Sequence, residues 1–424
     1  MLEHDRPITR AWVIHPDVKS NKDRRDAPSA LEEGVSLAAA LPDLDVVGSE
    51  VVPLPKMHPG KLFGKGKIAE LKQRLHAAEV ELILIDGPVS PVQQRNLEKE
   101  WSVKILDRTG LILEIFSDRA RTAEGVLQVE MAALSYQRTR LVRAWTHLER
   151  QRGGLGFVGG PGETQIEADR RAIDMQLNAL RQQLAKVVKT RTLHRAARAK
   201  VPFPIVALVG YTNAGKSTLF NRLTGADVFA KDMLFATLDP TMRKITLPSN
   251  DDVIMSDTVG FISDLPTELV AAFRATLEEV LDADLIVHVR DISHAQTEEQ
   301  ARDVMQILTS LGVAEEAPLI EVWNKIDQLS EDERDAVVTK ADRTEDLYAV
   351  SAVTGEGMAT LLDDLAEKLK DPRVAETLTL GFADGRARAW LFEQGVVTTE
   401  EQTDEGYRIE VLWSDLQQKR FAKL

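Results

Sequence analysis

Along the first hundred residues, short apolar runs alternate with amphipathic stretches. ITRAWVI (8–14), VVGSEVV (46–52), VELILID (80–86) and VKIL (103–106) read as strands, and 28–41, IAELKQRL (68–75) and 91–101 read as the helices between them. Strands alternating with helices predict an α/β domain with a mostly parallel sheet. The period changes at Thr122. Residues 122–152 and 163–198 space apolar positions three and four apart, as at Leu127, Met131 and Leu134 and then Leu177, Leu180 and Leu184, which predicts a hairpin of two long helices. Between them GGLGFVGGPG (153–162) holds six glycines and one proline in ten residues, a composition that neither helix nor strand tolerates.

Two prolines in VPFP (201–204) end the second helix, and PIVALVG (204–210) is a continuous apolar run of the kind a central parallel strand shows. VIMSD before DTVG, LIVHVRD (285–291), PLIEVWNKID (318–327) and LYAVSA (347–352) continue the series, and a helix is expected over 356–370. After a linker at DPRV (371–374), the segments LTLGF (378–382), 385–394, VVTTEEQ (396–402) and YRIEVLW (407–413) predict a small α+β domain. Its tail WSDLQQKRFAKL reads as a packed terminal helix, or else as a binding helix. The expected domains are therefore 1–118, 119–200, 203–371 and 374–424, which suits a chain of 424 residues.

Composition narrows the chemistry. The absence of cysteine removes disulfides, thiolate metal sites and cysteine nucleophiles, and it fits a reducing cytosol. MLEHDRPITRAW lacks the apolar stretch of a signal peptide, and no window approaches the roughly 20 apolar residues of a membrane span, so a soluble, cytoplasmic protein is expected. The eight histidines are scattered without an H-x-x-x-H pair, which gives no support to a structural zinc site. A net charge of −14 opposes diffuse attraction to nucleic acid, yet residues 119–200 carry sixteen Lys/Arg against seven Asp/Glu. Arg138, Arg140, Arg143, Arg150 and Arg152 crowd the approach to the glycine loop and are expected to lack matching acids. Such a face is either simply solvated or contacts a polyanion, whose phosphates a glycine turn and guanidinium forks can approach closely.

The run PIVALVG feeds into GYTNAGKST (210–218) and the helical TLFNRLTG (218–225), giving strand, G-x-x-x-x-G-K-[ST] loop and helix. Gly210 and Gly215 let the loop wrap so that its N–H groups, from Tyr211 through Thr218 by way of Thr212, Asn213 and Ala214, turn toward the α- and β-phosphates of a nucleotide. Lys216 reaches the β/γ oxygens, and Ser217 is placed to ligate Mg²⁺. Four further segments follow in the order that a guanine-nucleotide switch needs. FATLDPT offers Phe235, Ala236, Thr237, Leu238 and Asp239, with the Thr237 hydroxyl able to complete Mg²⁺ coordination. DTVG supplies Asp257, Thr258, Val259 and Gly260; Asp257 can hold Mg²⁺ through water while the Gly260 N–H meets the γ-phosphate. NKID brings Asn324, Lys325, Ile326 and Asp327, whose carboxylate accepts both the N1–H and the exocyclic amine of guanine, donors that adenine does not present. Finally Ser351, Ala352 and Val353 offer backbone to the guanine O6. Lys216, Thr237 and Gly260 are thus the candidate catalytic residues, and Ser217, Thr237 and Asp257 the candidate metal ligands. Directly after DTVG stands Phe261, where many switch GTPases carry a glutamine that orients the attacking water, so the water-orienting group is not identified.

These motifs, together with GPGETQIEADRR (160–171) and KLFGKGKIAEL (61–71), resemble the HflX family of ribosome-associated GTPases, within the translation-factor-related class of P-loop GTPases. The resemblance spans most of the chain and is weakest over the last fifty residues. It implies a P-loop GTPase domain, with a mostly parallel sheet between helices, preceded by a smaller α/β domain with a long helical hairpin and followed by a small α+β domain. It also implies a monomer that hydrolyses GTP to GDP with Mg²⁺, docks on the large ribosomal subunit through ribosomal RNA at 119–200, and separates or rescues stalled ribosomes. Immediately before GPGE, where the family commonly carries arginine, this chain has Gly159. Asn213 matches a position that holds K⁺ in related enzymes; the same side chain can equally brace the loop. A rival reading is a regulatory switch that binds a protein effector without touching RNA, which the acidic balance favours, and NKID speaks against an ATP-driven motor. If NKID selects the base, Asp327→Asn weakens GTP binding by several kcal/mol and improves binding of xanthosine triphosphate, since an amide donates where the carboxylate only accepts. Competitive nucleotide titration of the variant measures both.

Overall fold

The apolar runs become strands of two sheets, the first parallel and the second mostly so, in the structure, a computed structural model that describes residues 8–21, 24–151, 161–198, 203–226, 234–235, 237, 241–264, 280–281, 283–314, 317–369, 373–403, 405–414, 417–418 and 421–422. In the first sheet β1 (Thr9–Val18), β2 (Leu44–Leu54), β3 (Leu82–Ile85) and β4 (Lys104–Asp107) lie in the order β2-β1-β3-β4, all parallel. The intervening helices α1 (Ala27–Ala39), α2 (Lys65–Ala77) and α3 (Pro91–Trp101) begin where local chemistry starts them. The Asp26 carboxylate accepts from the Ser29 N–H, and Ser90 with Gln93 forms a reciprocal cap beneath Pro91. A fourth helix, α4 (Arg108–Arg119), follows β4 directly and has no counterpart in the sequence reading. Leu111, Ile112, Leu113, Ile115 and Phe116 are all buried, so its apolar positions show no one-sided period to detect.

The hairpin forms as α5 (Ala123–Gln151) and α6 (Pro161–Arg198). Of the expected stripe Leu177 is buried, while Leu127, Met131, Leu134, Leu180 and Leu184 are half-buried; on α5 Gln128, Val129 and Ala132 are buried instead, the last two in the core shared with Phe116 of α4. The expectation that the hairpin arginines lack acids is corrected at two positions. Arg138 pairs with Asp174 across the hairpin at 2.8 Å, and Arg140 bonds the Asp107 carboxylate while stacking on Tyr136, 4.5 Å from its ring centre. Arg152, most of the glycine loop, and the side chains of Arg143 and Arg150 lie outside the described residues.

The second sheet holds β5 (Ile205–Gly210), β6 (Thr241–Thr246), β7 (Asp252–Asp257), β8 (Leu285–Asp291), β9 (Leu319–Asn324) and β10 (Leu347–Ala349) in the order β10-β9-β8-β5-β7-β6. Strand β5 runs parallel to β7 and β8, and β8 through β10 are parallel in turn. Four of these strands end at Gly210, Asp257, Asp291 and Asn324, so the loops that carry the sequence motifs emerge from one edge, where open α/β sheets bind ligands. Helices α7 (Lys216–Thr224), α8 (Thr297–Leu311), α9 (Glu331–Asp342) and α10 (Met358–Lys368) complete this part. A single apolar cluster joins it to the first sheet's helices, with Phe116 and Val129 sharing a core with Tyr211, Phe235 and Phe261.

By contact the chain divides into two units, residues 1–245 with 252–360 and residues 246–251 with 361–424. The second contains an antiparallel sheet of β11 (Arg373–Gly381), β12 (Val397–Thr403) and β13 (Gly406–Ser414), in the order β11-β13-β12, under α11 (Gly385–Glu393). Arg373 and Val374, read as linker, already pair with Ser414 and Trp413, because β11 stays in register with its partner over all nine residues. Phe421 packs its ring 5.2 Å from Trp413 and 5.8 Å from Trp390, so this residue of the tail sits on the core of the small domain; residues 415–416, 419–420 and 423–424 lie outside the described residues. Among the described residues no helix is long and apolar enough to cross a membrane.

Asp107 ties the first sheet to the hairpin. Its buried carboxylate caps α4 at the Gly110 N–H (2.9 Å) and bonds both Tyr136 and Arg140. A helix cap alone is worth about 1 kcal/mol, whereas removing the acid of a buried charge pair costs about 3–5 kcal/mol. Asp107→Ala is expected to approach the larger figure in urea denaturation, and Arg140→Ala to lower stability as well; an effect no larger than a cap for Asp107→Ala would refute the joint role.

Candidate functional site

Strand β5 delivers its last residue into a loop that curls back on itself before α7. Asn213 (φ 62°) and Gly215 (φ 89°) turn the chain through the left-handed region, and a β-carbon at Gly215 would sit 2.2 Å from the Asn324 side-chain nitrogen. Only glycine allows that approach. The Lys216 ammonium lies inside the curl, donating to the Gly210 and Tyr211 carbonyls at 3.1 and 2.8 Å. Burial pushes its pKa down to about 8, with Asp257 opposing the shift. Gly260 closes over this group: a β-carbon there would meet Thr212 at 2.8 Å and the Lys216 nitrogen at 3.0 Å.

Beside the lysine three oxygen-bearing side chains converge. Ser217 Oγ and Thr237 Oγ1 are 2.9 Å apart and both donate to Asp257 Oδ2, at 2.7 and 2.9 Å. Asp257 Oδ1 is buried without a hydrogen-bond partner, and burial raises the carboxyl's pKa. Two hydroxyls and a carboxylate with an unspent oxygen are a donor set suited to a hard divalent cation such as Mg²⁺.

At the other end Asn324, 1% exposed, bridges two loops: its amide donates to the Ala214 carbonyl (2.9 Å) and its carbonyl accepts the Ala352 N–H (3.0 Å). Lys325, in the left-handed region at φ 67°, pairs with Asp291 at 2.7 Å. Ser351 is buried and holds its own turn, accepting the Thr354 N–H at Oγ and the Gly355 N–H at its carbonyl. These loops enclose a cavity of about 450 Å³.

Thr212, Asn213, Gly215, Lys216, Ser217, Thr218, Phe235, Thr237, Thr258, Gly260, Asn324, Lys325, Asp327, Ala352 and Val353 line it, as does Gln328, which no motif pointed to. Gly210, Tyr211, Ala214, Asp257, Val259, Ile326 and Ser351 stand behind the wall, where Val259 and Ile326 belong to the buried apolar core. Ala236, Leu238 and Asp239 lie outside the described residues.

Behind the wall, the first sheet grips the site through residues that carry no motif. The Tyr211 hydroxyl donates to Glu33 of α1 and accepts the Ser263 N–H at 2.8 Å. Burial, then the Glu33 charge, holds that phenol neutral by raising its pKa. Arg108 donates to the Ser263 carbonyl at 2.8 Å, to Glu33 at 2.5 Å and to Asp86 at 2.6 Å. Arg25 joins Glu33, Asp86 and Asp264, and His15 Nδ1 lies 2.8 Å from Asp86. Phe116 of α4 meets Phe235 edge to face at 4.6 Å. The ring of Phe261 is buried in the shared core, with its N–H on the Gly210 carbonyl (3.1 Å) and its carbonyl on the Thr212 N–H (2.7 Å).

A strand–loop–helix phosphate cradle, an oxygen trio beside its lysine and an N-K-x-D turn at the far end define a P-loop guanine-nucleotide-binding protein. Four family models match successive parts of the chain: GTP-binding GTPase N-terminal over 28–117, GTP-binding GTPase Middle Region over 119–198, 50S ribosome-binding GTPase over 205–325 and HflX C-terminal domain over 336–422. The chain is 46% identical to GTPase HflX of Magnetococcus marinus over 95% of its length and 92% of that protein's, and 42% identical to GTPase HflX of Escherichia coli over 94% and 91%. It belongs to the HflX family and is a GTPase. A GTP-binding protein of Sulfolobus solfataricus, solved with GDP, is 22% identical with a TM-score of 0.45, covering 85% of this chain and 98% of that one.

Asp86 tests the grip. Burial alone would raise its carboxyl, but Arg108, His15 and Arg25 outweigh burial and hold it far below the usual carboxylate range. The folded state therefore keeps Asp86 ionised where the unfolded chain takes up a proton, so its contribution is present above about pH 4 and is lost as pH falls toward the folded pKa. Arg108→Ala leaves two carboxylates without their shared partner and is expected to cost about 3–5 kcal/mol in chemical denaturation at neutral pH. A loss below about 1 kcal/mol would show that Arg25 alone suffices.

Proposed function

We propose that this GTPase binds GTP with Mg²⁺ in the cavity between the P-loop and the N-K-x-D turn, and that nucleotide state governs its docking on the large ribosomal subunit, where it separates or rescues stalled ribosomes. The observation that carries the nucleotide half is the Ser217–Thr237–Asp257 trio with its unpaired Asp257 oxygen beside Lys216. In this reading Ser217, Thr237 and Asp257 hold Mg²⁺, which supplies charge neutralisation at the β- and γ-phosphates. Lys216 gives up its loop carbonyls for phosphate oxygens, and the Gly260 N–H orients the terminal phosphate. Asp327 selects guanine. For the ribosomal half, the support is the match of 205–325 to the 50S ribosome-binding GTPase model. The basic middle segment would meet ribosomal RNA through cations other than Arg138 and Arg140, which are committed to Asp174 and Asp107.

A bound GTP needs an aligned water and a neutralised transition state, and the buried Phe261 ring can orient nothing. Intrinsic turnover is therefore expected to be slow. Large ribosomal subunits should raise single-turnover hydrolysis by at least about tenfold, roughly 1.4 kcal/mol off the barrier. Phe261→Ala should keep much of that stimulation, because the ring is a packing group. Equal rates with and without saturating subunits would mean that the free protein already holds complete catalytic machinery, and failure to co-sediment with subunits in any nucleotide state would favour the protein-effector reading.

A further inference from the structure

The outer side of the loop 351–355 is held by a residue that no motif contains. Arg222, on the exposed flank of α7, donates from Nη2 to the Val353 carbonyl at 3.0 Å across 131 positions of sequence. Its guanidinium lies against Gly355, where a β-carbon would stand 2.5 Å from Nη2 and 3.1 Å from Cζ. Gly355, at φ 93°, is thus the residue that both makes the turn and leaves room for the arginine.

The other donors of this loop are spent internally. The Ala352 N–H goes to Asn324 Oδ1, the Thr354 N–H to Ser351 Oγ and the Gly355 N–H to the Ser351 carbonyl. Among the described residues the Val353 N–H alone has no such partner in the segment, and Val353 lines the cavity. The residue whose N–H has no such partner is therefore the one whose carbonyl Arg222 holds. Asn324 ties this loop to the P-loop from inside, at Ala214 and Ala352, and Arg222 ties it to α7 from outside. Since α7 begins at Lys216 and Ser217, one rigid helix links the phosphate end of the cavity to the base end.

We propose that Arg222 is a positioning residue for guanine recognition, fixing the loop at the Val353 carbonyl so that the N–H of Val353, on the preceding peptide, is kept in place to meet the base oxygen O6. This rests on the reading above, in which the loop 351–353 receives that edge of guanine. A guanidinium packed against a glycine while donating to a carbonyl is not reproduced by an ammonium, so Arg222→Lys restores only part of what Arg222→Ala removes. The side chain is exposed, so neither change should impair folding.

The test is stopped-flow release of GDP and of 6-thioguanosine diphosphate, which keeps the N1–H and exocyclic amine that face Asp327 but carries sulfur, a weaker acceptor, in place of O6. The wild-type protein should release GDP the more slowly. Arg222→Ala should speed GDP release about tenfold while speeding release of the analogue clearly less, and Arg222→Lys should fall between. Equal acceleration of both nucleotides, or of neither, would overturn the positioning role while the base-loop reading stands. Equal release of the two nucleotides by the wild-type protein would overturn that reading and the proposal with it.

Discussion

Glu33 is the joint on which the site depends. Its carboxylate accepts from Arg25, Arg108 and Tyr211, three groups drawn from a loop, from α4 and from the P-loop itself. A buried charge is tolerable only where opposite charges and hydrogen bonds replace water, and each of these partners is in turn shared: Arg25 and Arg108 both also hold Asp86, and Tyr211 also holds Ser263. No member can leave without stranding another. The carboxyl ends of β3 and β4 supply Asp86 and Arg108, so the edge of the first sheet confronts the same edge of the second sheet from which the nucleotide loops emerge.

What was legible in the sequence is what is local. Parallel strands buried on both faces announce themselves as continuous apolar runs, and PIVALVG, LIVHVRD and LIEVWN fold as such; the P-loop and N-K-x-D turn follow from a few adjacent residues whose backbone angles demand glycine or a left-handed lysine. The ion cluster was not legible. Tyr211 and Glu33 stand 178 positions apart and Arg108 and Ser263 stand 155 apart, and neither glutamate nor arginine at such spacing forms a pattern. The same holds for the hairpin arginines, whose acids Asp107 and Asp174 come from distant turns of the chain. Helix α4 escaped for a different reason, being apolar on nearly every side, so that periodicity could not distinguish it from a strand or a loop.

Motif membership and contact with the cavity also part company. A motif of consecutive residues places alternate side chains on opposite sides of the wall. In N-K-x-D the 3₁₀ turn Ile326–Gln328 sends Ile326 into the core while Asp327 and Gln328 border the cavity. Tyr211 shows the consequence most directly: its backbone carbonyl holds the Lys216 ammonium, and its ring carries that constraint outward to Glu33. A substitution there acts on the site from behind.

That arrangement bears on how hydrolysis can be switched when Phe261 cannot orient water. The residues after DTVG are fastened on two sides, to the P-loop through the backbone of Phe261 and to the first sheet through Ser263 and Asp264. Thr237, the hydroxyl shared with Ser217 and Asp257, sits two residues beyond Phe235, and Phe235 is held by Phe116 of α4. Both segments flanking the terminal phosphate position are thus tethered to helices of one sheet, α4 supplying Phe116 and Arg108 together. A packed core shifts between discrete arrangements rather than deforming smoothly, so a displacement of that helix moves the two segments jointly. A surface that displaces the first sheet would therefore act on Thr237 and on the Gly260–Ser263 segment at once, through Phe116 and Arg108 and without contributing an atom to the cavity.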